Sequence, residues 1–535
     1  MKMNRHRPFF KADFGEKNSI FYALLLLAFT LICFDLNIKN AVYEDHFHNG
    51  EYFNIFNNIR IGASLPLSVH GAVDYIPAWL AFNIAGPEYY AHITRIIYIS
   101  FKVIACILFL LTLERLNQKL IPLLCAALLA PFILDHRDFS LSILIYSFIL
   151  LNKYKKENLK YISILAFISL AAVFNLFYAT NRGIAGLLAI LLALMISTYF
   201  DKRNFFGLFL ITLLLLLIDK WIPVFSVKDL IEKMPFLIKN SKQWSFAWEY
   251  KTISLAIYIF LLLTISILLN VYAIIQKKNN YKELAVLAFI SILSVFHYQI
   301  ATYRADLFHI MMAFPIILLS LFNFLRLTID EKINLSSPFV ILILLFSLIS
   351  LYIIQEKPLV ILIGLFLLNE LNFTTEHKIK IYIFYTLRFI LVLFCILLPV
   401  RIIFQYNNGD YDWIKTNALL KKNEEIMDSS ILWAQNKINE GNTVCLFDLS
   451  NSGLINADIT IPTCTKYSYL AFSDHSNQTE LIEFLNSEKA PQKIVLNSDG
   501  KKSDIEKNQD NQLNLLIKTK YPHEECESKL CIRYN

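Results

Sequence analysis

Residues Tyr161–Phe200 read YISILAFISLAAVFNLFYATNRGIAGLLAILLALMISTYF. Two uncharged apolar runs, 161–179 and 184–200, flank the polar corner Thr180-Asn181-Arg182-Gly183. Each run approaches the roughly 20 residues a helix needs to cross a hydrocarbon core. A backbone inside lipid must satisfy its own hydrogen bonds, so each run is expected to be a helix and the corner a turn at one membrane edge.

The same unit recurs along the chain. Apolar runs at 20–36, 92–113, 120–134, 139–152, 205–218, 252–275, 283–300, 308–325, 338–354, 358–371 and 380–403 bring the expected count to about thirteen. The runs at 120–134, 139–152 and 358–371 are short for a full crossing, and 120–152 also reads as a re-entrant hairpin. Composition agrees with this class: 56% of the 535 residues are hydrophobic and only 17% charged, with mean hydropathy +0.49. The net charge of +7 comes from lysines and arginines in short loops, which signals membrane orientation and gives no evidence for nucleic acid. Thirteen glycines are few, so helix packing through small residues is expected to be sparse.

Orientation follows from the loops. Lys2, Arg5, Arg7, Lys11 and Lys17 precede the first run, which lacks a small-residue cleavage site and reads as an uncleaved helix with a cytoplasmic amino terminus. Alternation then places Arg115/Lys119, Lys153–Lys160, Lys202/Arg203, Lys277–Lys282, Arg326/Lys332 and Lys378/Lys380 inside. The loop 219–251 departs from the rule, with six lysines on the expected outside, offset by Asp219, Asp229, Glu232 and Glu249. Within it, 229–237 has an amphipathic, interfacial pattern.

The same alternation collects four polar clusters on the non-cytoplasmic side. They are Glu44-Asp45-His46-Phe47-His48, Asp135-His136-Arg137-Asp138, Asn181-Arg182 and Arg304-Ala305-Asp306-Leu307-Phe308-His309. Charge at a bilayer edge is costly unless it lines a pocket or meets water, so four clusters on one face predict one shared site. The first outer loop, 37–91, carries the densest chemistry. Asp45 or Glu44 suits a general base, and Glu51, His46 and His48 lie close along the chain. Acids mixed with histidines also fit a divalent metal, Mg or Mn. Further on, His70–Trp79 reads as a turn entering an interfacial segment, with Tyr75 and Trp79 at headgroup level.

Arg304 offers a planar fork for phosphate, His309 a second donor, and Asp306 a local partner for Arg304. Arg137 is a further phosphate or sugar contact, or else the structural partner of a neighbouring aspartate. Arg182, opening a helix, has the dipole of a helix amino terminus beside it to attract an anion. Soluble-enzyme signatures are absent: the chain has no phosphate-cradling glycine loop, dinucleotide fingerprint, nucleophile elbow or zinc-protease motif.

From about 404 to 535 the apolar runs shorten. A helical pattern covers 413–439, strands are expected at Thr443–Leu449 and Lys493–Asn497, and helices at Thr479–Ser487 and Gln512–Thr519. Strands alternating with helices predict a small α/β domain, which alternation puts outside. Cys445, Cys464, Cys526 and Cys531 fall here, and an even number in an exported domain favours disulfides: Cys526–Cys531 first, then Cys445–Cys464.

With acids in a long first outer loop, a cytoplasmic amino terminus, a dozen or so spans and a terminal outer domain, the chain resembles the GT-C superfamily of integral membrane glycosyltransferases. Glu44-Asp45 and Glu51 stand where that superfamily carries its acidic motif. Arg304-Ala-Asp306-x-x-His309 resembles the mouth motif of bacterial polysaccharide-assembly members. Here the two acids are adjacent, without the usual intervening residue. The resemblance implies a polytopic α-helical membrane protein with a C-terminal extracytoplasmic α/β domain, residues 1–403 forming the membrane part and 404–535 the outer part. It further implies a bacterial inner-membrane enzyme that takes a sugar from a polyprenyl-phosphate donor and passes it to a glycan, lipid or protein acceptor. The other reading of the same layout is a polymerase, ligase or flippase of surface-polysaccharide assembly.

Overall fold

A computed structural model describes residues 19–35, 71–74, 76–116, 120–151, 159–221, 250–276, 281–304 and 313–328. In the tail it describes 432–440, 447–448, 482–488, 490–497, 512–527 and 530–535, with 227, 231, 310 and 429 as isolated positions. Among the described residues of the apolar part, ten α-helices stand out: α1 (Ser19–Asp35), α2 (Ile76–Leu116), α3 (Leu120–Ile133), α4 (Phe139–Leu151), α5 (Leu159–Tyr178), α6 (Thr180–Phe200), α7 (Phe205–Trp221), α8 (Tyr250–Gln276), α9 (Tyr281–Arg304) and α10 (Phe314–Thr328). Among the described residues, four stretches are long and apolar enough to cross a bilayer: Ile96–Leu116, Leu159–Tyr178, Thr180–Phe200 and Glu283–Thr302. The protein is therefore a multi-pass membrane protein. The expected spans at 338–354, 358–371 and 380–403 and the interfacial pattern at 229–237 lie outside the described residues or nearly so.

Helix α2 is longer than the run 92–113, which makes up its C-terminal half, because its first turns carry the interfacial segment after Ile76. Helices α3 and α4, with 14 and 13 residues, are each only about 20 Å long. Of the run expected at 308–325, Phe314 onward forms helix α10, preceded by a turn at Ala313.

Lipid is as apolar as leucine, so helices associate here through close packing and internal polar contacts instead of water exclusion. Helix α6 meets that need with small residues. Gly183, Ala185, Gly186, Ala189 and Ala193 are all buried along the face it shares with its neighbours, and α9 and α5 are the helices it packs against most. Scarce as glycine is, Gly71 and Gly183 stand where backbones approach. At Gly183 a Cβ would stand 2.2 Å from the Asn175 carbonyl oxygen, so only glycine lets α6 turn this sharply away from α5. A polar clamp ties α8 to α10 deeper in the bundle: Asn270 Nδ2 donates to the Ser320 carbonyl at 2.9 Å, and Asn323 Nδ2 donates to Asn270 Oδ1 at 2.6 Å. On the outer surface Phe167, Leu170, Met195, Phe209 and Leu216 are exposed, as lipid-facing side chains should be.

The tail carries a four-stranded sheet of order β1-β2-β4-β3, built from β1 (Phe447–Asp448), β2 (Lys493–Asn497), β3 (His523–Glu527) and β4 (Leu530–Tyr534). Strand β1 runs parallel to β2, while β2–β4 and β3–β4 are antiparallel. Helix α11 (Gln512–Lys520) packs Leu513 and Ile517 on Ile494, Leu496 and Cys531. Strand β2 has the expected bounds, and of the expected 443–449 strand the described part is Phe447–Asp448. Residues 432–439 and 482–486 are helical. The β3–β4 hairpin was not anticipated, because His523-Glu-Glu-Cys-Glu527 has no apolar alternation of its own. Cys526 and Cys531 face one another across its register and are joined by a disulfide. Cys445 and Cys464 lie outside the described residues.

Candidate functional site

Three charged side chains meet where two helix connections converge. The α3–α4 connection is a short 3₁₀ turn, His136–Asp138, capped in both directions. Asp135 Oδ1 accepts from the Arg137 N–H at 2.7 Å, and the Asp135 N–H donates to Asp138 Oδ2 at 2.9 Å. This reciprocal box satisfies donors that a helix start otherwise leaves open. Both carboxylates also reach Arg182 in the first turn of α6. Its guanidinium grips Asp135 at 2.8 and 3.2 Å and Asp138 at 2.7 Å, and its side chain is 2% exposed. The sequence put Arg137 forward as the neighbour of these acids. The fold adds Arg182, 47 positions away from Asp135.

One guanidinium between two carboxylates makes the acids unequal. Burial pushes the Asp135 carboxyl up, but Arg182, His136 and Arg137 together outweigh it and hold it well below the usual carboxylate range. Burial drives Asp138 upward as well, and there the Asp135 carboxylate works against the Arg182 charge, so Asp138 ends above its ordinary value. The two acids that share the guanidinium are thus shifted in opposite directions, Asp135 down and Asp138 up.

Polar groups surround this centre. Ser140 Oγ donates to Asn175 Oδ1 at 2.7 Å. Asn175 Nδ2 and His297 Nε2 are buried and lack a hydrogen-bond partner among the described residues. His297, on α9, lies within electrostatic reach of Arg182. Phe289 meets Phe148 of α4 with ring centroids 4.5 Å apart, ten residues beyond Asp138, so α9 runs back toward the α3–α4 turn as it passes His297. Arg304, the last residue of α9, therefore sits about 10 Å further along the axis at the same end of the bundle.

The Gly71–Asp74 segment also packs here. Gly71, at φ +94°, presses on the α5–α6 corner, where a Cβ would stand 2.7 Å from Thr180 Oγ1 and 2.9 Å from the Phe177 carbonyl oxygen. Ala72–Asp74 then form a 3₁₀ turn, and Val73 is buried against Tyr178 and Ala179. Aromatic rings fill the space behind: Phe101 stacks on Phe139 at 4.7 Å, and His136 lies 4.1 Å from Tyr98.

The fold thus gathers the 71–74 segment, Asp135–Asp138, Arg182 and the end of α9 at one end of the bundle. Glu44, Asp45, His46, His48, Glu51, Asp306 and His309 lie outside the described residues. Sequence reasoning did not single out His297 or Asn175. The available signal was a lone histidine and a lone asparagine inside otherwise apolar runs, positions where polar residues are expensive.

No protein-family model matches the chain, and no curated protein matches it. Among solved structures it is similar to one described as the crystal structure of ArnT from Cupriavidus metallidurans bound to undecaprenyl phosphate. That likeness has a TM-score of 0.45 and 11% identity, over 96% of this chain and 97% of the other. The site described above is read from this chain's own residues.

Proposed function

We propose that the protein is a membrane glycosyltransferase of GT-C type that moves a sugar from a polyprenyl-phosphate donor to a glycan, lipid or protein acceptor at the outer face of the cytoplasmic membrane. The observation that carries the reading is the convergence of the first outer loop's end, the α3–α4 turn, the start of α6 and the end of α9. Such a gathering suits a reaction whose donor is anchored in lipid while its reacting bond sits at the membrane edge.

In the proposed chemistry Asp45, with Glu44 or Glu51 assisting, takes the proton from an acceptor hydroxyl. That oxygen attacks the anomeric carbon from the face opposite the phosphate. The carbon–oxygen bond to phosphate breaks, and the lipid phosphate leaves with the electron pair, giving inversion. Arg304, with His309 and Arg137, stabilises the charge that develops on the leaving phosphate, and Asp306 orients Arg304. Carboxylates mixed with imidazoles form a donor set that fits a divalent ion such as Mg or Mn. Glu44, Asp45, Glu51, His46 and His48 would hold it, and bound there it would lower the charge of the donor phosphate.

The test is sugar transfer by the purified full-length protein from defined polyprenyl-phosphate sugars, with and without divalent metal. Asp45→Asn and Arg304→Lys should reach the membrane in normal amounts and lose about 10²–10³ in turnover. Asp74→Asn, on the same loop but without an assigned role, should stay near the parent rate. Transfer from no donor, or joining of two lipid-linked glycans instead, overturns the reading, the second outcome in favour of a polymerase or ligase.

A further inference from the structure

One arrangement at this end of the bundle has no part in the proposed chemistry. The α5–α6 corner is gripped from two sides. On one side Arg182 holds Asp135 and Asp138, which lock the α3–α4 turn that bears Arg137. On the other side Gly71, in a left-handed conformation, packs directly on Thr180 and Phe177, and Val73 fills the space beside Tyr178 and Ala179. Neither grip is needed to join α5 to α6, which are linked through the single residue Ala179. A guanidinium bonded to two buried carboxylates cannot fork onto a phosphate without breaking those bonds and leaving acids uncompensated. Buried ion pairs of this kind gain little net stability over apolar packing, but their geometry is tightly specified.

We infer that the α5–α6 corner is a positioning element: Arg182 fixes the α3–α4 turn and Gly71 fixes the end of the first outer loop, so that both parts of the site keep one register. Arg182 is then a positioning residue and not a phosphate ligand. The consequences for activity rest on the glycosyltransferase reading, whereas the geometric part does not.

Two measurements on the full chain separate these. In native membranes, cysteines introduced as His136→Cys and Val73→Cys are labelled with an impermeant maleimide, against a background without them. Arg182→Lys or Asp135→Asn should speed labelling at 136 at least fivefold, and Gly71→Ala should do the same at 73. In the transfer assay Arg182→Lys, Asp135→Asn and Gly71→Ala should each lower kcat tenfold or more while the donor KM stays within about twofold, because misplacement by about 1 Å can cost 10²-fold. The double variant Arg182→Lys/Asp135→Asn should be no worse than its more harmful single, as expected for residues acting as one unit. A raised donor KM with normal kcat in Arg182→Lys alone would make Arg182 a phosphate ligand and overturn the inference, as would unchanged labelling at both positions. Should Arg182→Lys not accumulate, Asp135→Asn and Gly71→Ala carry the same test. Faster labelling in a protein that transfers no sugar removes the glycosyltransferase reading and leaves the corner in place.

Discussion

The membrane bundle and the tail sheet each bury an arginine against acid, and they do so by opposite routes. In the tail, Arg533 Nε donates to Glu524, and the two residues are register partners across a hairpin only nine positions apart. Any chain that closes this hairpin brings them together. In the bundle, Arg182 meets Asp135 and Asp138 only because α6, α4 and α5 pack in one particular way. The tail pair balances charge one to one, while the bundle centre sets two acids on a single guanidinium. A local pair is a consequence of strand register, and a long-range triad is a condition on the tertiary fold.

The largest expected effect sharpens that contrast. Arg182→Gln leaves two buried carboxylates facing each other and should cost about 3–5 kcal/mol. Thermal unfolding of the detergent-solubilised protein should show a far larger drop than Arg533→Gln gives in the tail. Equal drops would mean that the bundle centre is no more demanding than a hairpin pair. Next comes the hairpin's own constraint. Replacing Cys526 and Cys531 by serine opens a loop of only a few residues and should cost the tail about 2 kcal/mol, read by proteolysis of the tail. Mass mapping of protein from native membranes should find the two joined before any reductant is added, and free thiols there would break the account of the hairpin.

A further effect concerns pH. Asp138, at 3.8 when unperturbed, is pushed up to about 7. Its contribution to stability is therefore complete below 3.8 and is lost as pH rises toward 7. Asp135 is shifted the other way, so its contribution is present above its ordinary value and is lost only in acid. Asp138→Asn should flatten the decline of the thermal midpoint between pH 4 and 7, since the amide oxygen can still accept from the Asp135 N–H. An unchanged slope would show that the titrating group in this window is another one.

Much of the layout was legible before any coordinates. Tyr161–Phe200 reads as two spans and a corner, and the structure has α5, the corner and α6 at those places. Lys493–Asn497 and 512–519 likewise announced a strand and a helix through composition and period. The hairpin at 523–534 escaped because its first strand is polar and lies at the sheet edge, where no apolar face is imposed on it. At the site, the sequence marked Asp135, Asp138, Arg137 and Arg182 as charges at one rim but did not join Arg182 to the acids. Adjacency along the chain sets Arg137 beside the acids, and in the capped turn its backbone serves Asp135, while the carboxylates also reach Arg182 on α6 through helix packing that spacing does not encode.

By itself, the sequence determined that the protein lives in a bilayer, because apolar runs of that length have no other stable solvent and their backbones must close as helices. It also determined where the charges interrupt those runs, and so where chemistry is affordable. Only the tertiary structure decided which charges meet. Asp135 and Arg182, like Gly71 and Thr180, are joined by helix packing in which Gly183 lets backbones approach and Gly186 leaves room for the Asn175 side chain. Contacts of that kind are set by shape in three dimensions, and no spacing along a single chain encodes them.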